Sequence, residues 1–195
     1  MSIAAESLQS FETEPVKLSR FARLIAFDDR LLRRLVQSRR ARATFLLRIV
    51  CRLYDPDMVI MGIAAALFHS ALVDVANRAA VALISTSLLA YLVKRLVRRT
   101  RPDDELQASV PPDRYSFPSG HTAAAFSLAI AMFGSVPWLA PPLLLLAMVV
   151  GYGRMYLGVH YPLDVAAGAA IGLITGSILA ILELPQQALI ALPSF

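Results

Sequence analysis

"AAVALISTSLLAYLVKRLVRRTRPDDE", residues 79–105, decides the fold of this chain. A bilayer core needs about 20 largely apolar residues per helix. Ala79–Val97 meets that length, with only small hydroxyls before its end. Lys94, Arg95, Arg98, Arg99 and Arg101 then crowd the exit. Either these cations hold a loop at the lipid headgroups, or some of them form an anion site.

The rest of the chain agrees with a membrane setting. It has 195 residues, enough for one domain. Hydrophobic residues make up 57% and charged residues 17%, against roughly a quarter charged in soluble domains. The net charge of +5 does not point to nucleic acid, because the arginines flank apolar runs and lack interleaved aromatics. Cys51, the single cysteine, excludes an intrachain disulfide and reads as a small hydrophobe. Residues 1–20 are polar and partly acidic, with no apolar core of a cleavable signal.

The expected architecture is an all-α integral membrane bundle of about five transmembrane helices, preceded by amphipathic interfacial helices. Residues 1–19 read as a mobile tail, 20–54 as the interfacial helices and 55–195 as the transmembrane core. Phe21, Leu24, Ile25, Leu32, Leu35 and Val36 can share one helical face, and Phe45, Leu46, Ile49, Val50 and Leu53 another, with arginines opposite each. The five spans are Met58–Ala76, Ala79–Val97, Ser119–Trp138, Pro141–Leu157 and Pro162–Leu184, the first two joined at Asn77 and Arg78. This order puts all of the 19 Lys and Arg residues except Arg78 on one membrane face. The positive-inside rule makes that face cytoplasmic, in a multi-pass protein of a bacterial-type inner membrane.

Three polar clusters land on that face. The first is Lys94 with Arg101 and Pro102, the second is "SFPSGHT" at 116–122, and the third is "GRMYLGVHYPLDV" at 153–165. Each has a plain explanation alone: charge anchors, a helix start with Ser119 as N-cap, an interfacial His160–Asp164 pair. Together they suit phosphate chemistry. Lys94, Arg101 and Arg154 supply cations, and guanidinium forks match phosphate oxygens. Ser119 and Gly120 lie at a helix start, where free N–H groups favour an anion. His121 and His160 offer an acid and a nucleophile. Asp164 lies within a turn of His160 and can take its Nδ1–H, with Pro162 at N1 and Asp164 at N3 of the last helix.

K-x6-R-P, P-S-G-H and R-x5-H-x3-D, in this order, resemble the signature of the type 2 phosphatidic acid phosphatase superfamily, over roughly residues 55–183. The resemblance implies a lipid phosphatase that cleaves a phosphomonoester or diphosphate of a lipid. His160 would attack phosphorus to form a phosphohistidine, Asp164 would orient it, and His121 would protonate the leaving group. Lys94, Arg101, Ser119, Gly120 and Arg154 would hold the phosphoryl oxygens. It also implies sensitivity to vanadate, no metal and no other cofactor, and amino-terminal helices that help form a lateral entrance for lipid. The expected partners are a lipid phosphate substrate and membrane lipids, and no nucleic acid; the motifs imply no oligomeric state.

Substrate candidates are phosphatidate, phosphatidylglycerophosphate, a polyprenyl diphosphate, a phosphorylated polyprenyl sugar and a lipid A phosphate. The rival class is a non-enzymatic transporter or ion-pathway subunit, with His69, Asp74 and Arg154 along a route. Arg95, Arg98 and Arg99 are expected to face headgroups, and Asp103, Asp104 and Glu105 to form a solvated loop face. Members of the family usually carry serine where this chain has Gly153. A Gly153→Ser change is therefore expected to be tolerated.

Overall fold

Gly168, Gly172 and Gly176 recur at every fourth position of the last helix, and that spacing puts them on one stripe. The computed structural model describes residues 20–182 apart from Pro112. Its helices are α1 (Arg20–Gln37), α2 (Ala41–Arg52), α3 (Pro56–Leu67), α4 (Val73–Val97), α5 (Gly120–Ala131), α6 (Ala140–Tyr156) and α7 (Pro162–Ile181). A Cβ added at Gly168, Gly172 or Gly176 would run into the carbonyl oxygens of Ser119, Ala123 and Ser127 in turn. Small residues thus let the backbones of α5 and α7 touch. The pairs advance together, so the two helices are parallel and begin at the same end of the bundle.

α5 packs against α4, α6 and α7. The core around it is built largely from alanine: Ala79, Ala82, Ala131 and Ala140 with Met132 and Leu179 in one cluster, Ala125, Ala147, Val150 and Tyr54 in another. Thr86, Ser127 and Thr175 satisfy one another's hydroxyls between α4, α5 and α7, at 2.6 to 3.2 Å. Outside the helices the described residues contain one isolated bridge, between Thr100 and Tyr115.

The all-helical class and the two amphipathic helices ahead of the bundle agree with expectation. Among the described residues, three helical stretches are long and apolar enough to cross a membrane: Ser70–Val97, Pro137–Tyr156 and Pro162–Ile181. α3 and α5 have 12 residues each, about 18 Å at 1.5 Å per residue and short of a bilayer core. The break expected at Asn77 and Arg78 lies instead at Phe68–Leu72. His69 and Ser70 interrupt the apolar run there, and α4 carries Asn77 and Arg78 within its first turns. The span expected over Ser119–Trp138 ends early, because Gly134 and Pro137 break it into two short 3-10 turns. The expected mobile tail and residues 183–195, with the end of the last span, lie outside the described residues.

α1 differs in one important respect from a simple surface helix. Leu32 is fully buried, and so is Asp28 one turn earlier, whereas Leu24, Ile25, Phe27 and Leu31 are exposed. A carboxylate therefore points from this amphipathic helix into the protein.

Candidate active site

α4 ends in a left-handed residue, Arg98 at φ 50°, whose N–H closes on the Lys94 carbonyl at 3.0 Å. That conformation is uncommon outside glycine and turns the chain so that Arg99 and Arg101 run back along the bundle's end. Lys94 Nζ donates to Asp113 Oδ2 at 2.7 Å, and Arg101 Nη2 donates to Asp113 Oδ1 at 2.7 Å. Arg101 Nη1 also donates to the Val159 carbonyl at 2.7 Å and lies 3.3 Å from His160 Nε2. Burial works to raise the Asp113 carboxyl, but the hydrogen bonds from Lys94 and Arg101 prevail and hold it below the usual carboxylate range.

Arg99 does not face headgroups. Its Nη1 donates to Asp164 Oδ1 at 2.9 Å, its Nη2 to Asp28 Oδ2 at 2.6 Å, and its guanidinium stacks 4.0 Å from the centre of the Tyr161 ring. The expectation failed because the second carboxylate comes from α1, whose inward face the linear pattern does not disclose. Arg95 and Arg98 are exposed, as expected of that pair, and Asp103 pairs with exposed Arg33 at 3.1 Å.

Ser119 takes the N-cap position of α5, yet its hydroxyl pairs with Thr122 Oγ1 at 2.9 Å and its N–H donates to the Asp164 carbonyl. The starts of α5 and α7 are thereby stitched together. Around Gly120 there is open space, since an added Cβ would meet nothing within 4 Å. His121 follows on the first turn, buried, with Nε2 2.6 Å from Asp55 Oδ1.

Between α6 and α7 the chain turns at Gly158, φ 74°, where the Leu106 carbonyl occupies the place of a Cβ. Only glycine fits that approach. The turn delivers His160, which is 1% exposed, just before the N-cap Tyr161, with Pro162 at N1 and Asp164 at N3 of α7. His160 Nδ1 and Asp164 Oδ2 are 3.7 Å apart, beyond hydrogen-bond length. That oxygen accepts the Tyr161 N–H at 2.8 Å, and His160 Nδ1 has no partner among the described residues. Burial, reinforced by the charges of Arg154, Arg101 and Lys94, pushes His160 well below the ordinary imidazole value of 6.5. Its ring is therefore neutral at physiological pH.

Arg154, in the last turn of α6, is 4% exposed, and its Nε and Nη2 have no acceptor among the described residues. Buried polar groups almost always have a partner, so this pair calls for an explanation. Arg154 lines a cavity of about 730 Å³ together with Arg48, Cys51, Asp55, Val110 and Pro111. Beside it, a Cβ on Gly153 would come within 2.8 Å of Cys51 Sγ. Cys51 from α2 thus occupies the space into which a serine at 153 would project, and its thiol would have to move to admit one.

All eight residues singled out in the sequence gather at one end of the bundle: Lys94, Arg101, Ser119, Gly120, His121, Arg154, His160 and Asp164. Four further participants were missed. Asp28 and Asp55 are carboxylates within or just after amphipathic helices, and Asp28 interrupts an apolar stripe, a usable signal. Asp113 gave none, and Arg99 was hidden in a run of like charges. His69 and Asp74 lie exposed at the α3–α4 turn and not in the bundle interior.

Residues 75–186 match the PAP2 superfamily. A curated relative, decaprenylphosphoryl-5-phosphoribose phosphatase of Mycobacterium tuberculosis, is 42% identical over 92 residues, 46% of this chain and 51% of the relative. The chain spans about half the length of that relative. Among solved structures, a transmembrane PAP2 type phosphatidylglycerolphosphate phosphatase from Bacillus subtilis superposes with a TM-score of 0.68 at 23% identity, over 81% of this chain and 84% of the other. LpxE of Aquifex aeolicus superposes with a TM-score of 0.65 at 28% identity, over 78% and 93%.

Proposed function

The chain belongs to the PAP2 superfamily, and we propose that it is a membrane phosphatase that cleaves a lipid phosphate ester through a phosphohistidine on His160. The observation that carries this proposal is the convergence of donors on one neutral nucleophile. Arg101 Nη1 lies 3.3 Å from His160 Nε2, and buried Arg154 holds two guanidinium nitrogens without an acceptor among the described residues. A phosphoryl group attacked at phosphorus by Nε2 would place its oxygens against Arg101, Arg154, Lys94 and the N–H of Gly120. Such preorganised donors stabilise the charge that shifts to those oxygens in the transition state.

The sequence of bonds is simple. Nε2 of neutral His160 forms the N–P bond as the P–O bond to the lipid breaks. His121 gives its proton to the departing oxygen, releasing the lipid alcohol. Water then attacks the phosphohistidine, His121 takes up a proton from it, and inorganic phosphate leaves. Asp164 stabilises the imidazole of His160, closing from 3.7 Å to hydrogen-bond length as the ring gains charge; such contacts are often long before substrate binds. No metal takes part, because the cationic side chains supply the charge that a metal would.

The substrate enters between α2 and residues 109–111, along the cavity that reaches Arg154. The mycobacterial relative is named for a phosphorylated sugar on a polyprenyl phosphate, and the Bacillus structure for phosphatidylglycerolphosphate. Both carry a phosphomonoester on a lipid headgroup, the chemistry we assign here. The test is release of inorganic phosphate from a micellar panel containing both compounds, phosphatidate and a polyprenyl diphosphate. Turnover of a monoester in the presence of EDTA, inhibited by vanadate, is the expected result. Silence on every phosphate would favour the transporter reading, and activity restored only by magnesium would contradict the metal-free mechanism.

A further inference from the structure

His121 has a partner that no motif announces: Asp55, on the short link between α2 and α3, at 2.6 Å. The His121 side chain is 8% exposed. The charged groups around it are Arg154 of α6, Lys94 of α4 and Asp55, with the neutral His160 of the α6–α7 link nearby. Burial and the two cations all oppose a charged imidazole there. Asp55 is the one carboxylate in contact with it among the described residues, and Asp55 is itself held in place. Its Oδ2 accepts Arg52 Nη1 at 2.7 Å, and Arg52 Nη2 reaches on to Asp57 at 2.8 Å. Burial works to raise the Asp55 carboxyl, but the hydrogen bonds from His121 and Arg52 prevail and keep it below the usual carboxylate range.

We propose that Asp55 is the positioning residue of the catalytic acid: it holds His121 Nε2, leaving Nδ1 to protonate the leaving oxygen, and its charge offsets part of the opposition that burial, Arg154 and Lys94 present to the imidazolium. This rests on the phosphatase function proposed above. As the P–O bond breaks, the Nδ1–H bond breaks with it and the lipid alcohol forms. His121 is then neutral, with its Nε2–H still on Asp55. In the second half of the reaction Nδ1 takes a proton from the attacking water, and the imidazolium is restored. The tautomer needed at that moment is the one that a carboxylate on Nε2 enforces. Asp55 itself lines the cavity shared with Arg154.

Asp55→Asn keeps an acceptor oxygen and removes the charge. With phosphatidate, whose alkoxide needs a proton, kcat should fall roughly 10- to 100-fold, within the range of general-acid effects. With p-nitrophenyl phosphate the loss should be at least tenfold smaller. Asp55→Glu should recover part of the phosphatidate rate, and Asp55→Asn should add no further loss in a His121→Ala background. Equal losses on both substrates, or additive losses in the double variant, would overturn the role. A second readout does not depend on turnover. The chain has three histidines, so its 15N-imidazole spectrum can be assigned by single substitutions. His121 should be protonated on Nε2 and should shift in Asp55→Asn while His69 stays put; an unmoved His121 would overturn the pairing. Wild-type protein silent on both phosphates would defeat the phosphatase reading alone, and the 15N result would still decide the pair.

Discussion

Asp113 occupies two of the three cations that the proposed mechanism gives to phosphate, with one carboxylate oxygen on Lys94 and the other on Arg101, each at 2.7 Å. Substrate must displace it. Asp113→Asn should therefore tighten inhibition by vanadate, by about tenfold if one charge-assisted hydrogen bond's worth of competition, some 1.4 kcal/mol, is removed. Because its carboxyl is held below the usual range, Asp113 stays ionised at pH 5.5 as at pH 8, and the gain should be the same at both. Unchanged or weaker vanadate binding would make Asp113 part of the binding scaffold and not a competitor. The contrast with His160 is instructive about legibility. His160, Arg154 and His121 could be read from the sequence because each stands at a fixed spacing in an ordered motif. Asp113, Asp55 and Asp28 belong to no motif, and their roles depend on segments distant in sequence folding back onto the site.

α2 and α6 meet where Gly153 faces Cys51, and that contact sets a cost on the serine that motif comparison leads one to expect there. The sequence shows a missing serine; the structure shows a thiol in its space. Gly153→Ser should cost about 1–3 kcal/mol, the usual penalty for overpacking, read as a lower midpoint of thermal unfolding in detergent. Adding Cys51→Ala should restore most of the loss. A Gly153→Ser protein as stable as wild type would show that Cys51 can rotate away freely. Helix boundaries were legible where glycine or proline marked them, as at Gly120 and Pro162, and illegible within the apolar run 58–97. There, hydropathy alone favoured a break at Asn77 and Arg78. The structure absorbs both into α4, where Arg78 reaches the Leu179 carbonyl at 2.7 Å near the opposite end of α7 from the site.

Across the whole molecule, the starts of α3, α5 and α7 and the ends of α4 and α6 share one end, and α1 closes over it. Arg99, partly buried, joins the two buried carboxylates of Asp28 on α1 and Asp164 beside His160, and Leu163 N–H donates to Asp28 at 2.9 Å. Breaking such a buried pair by removing one partner costs about 3–5 kcal/mol, so α1 is an integral wall of the site. The membrane class and the clustering of the motifs were legible from composition and order; this closure was not, because amphipathic periodicity says which face is apolar and nothing about what it covers. The central claim, a covalent phosphohistidine on His160, is open to one direct measurement. Rapid mixing with a 32P-labelled lipid phosphate, quenched in alkali, should trap an alkali-stable, acid-labile label on the peptide carrying His160. In His160→Ala that label should be absent and turnover roughly a thousandfold lower or worse. A His160→Ala protein that still turns over at a near-normal rate, or a label that maps elsewhere, would contradict the account.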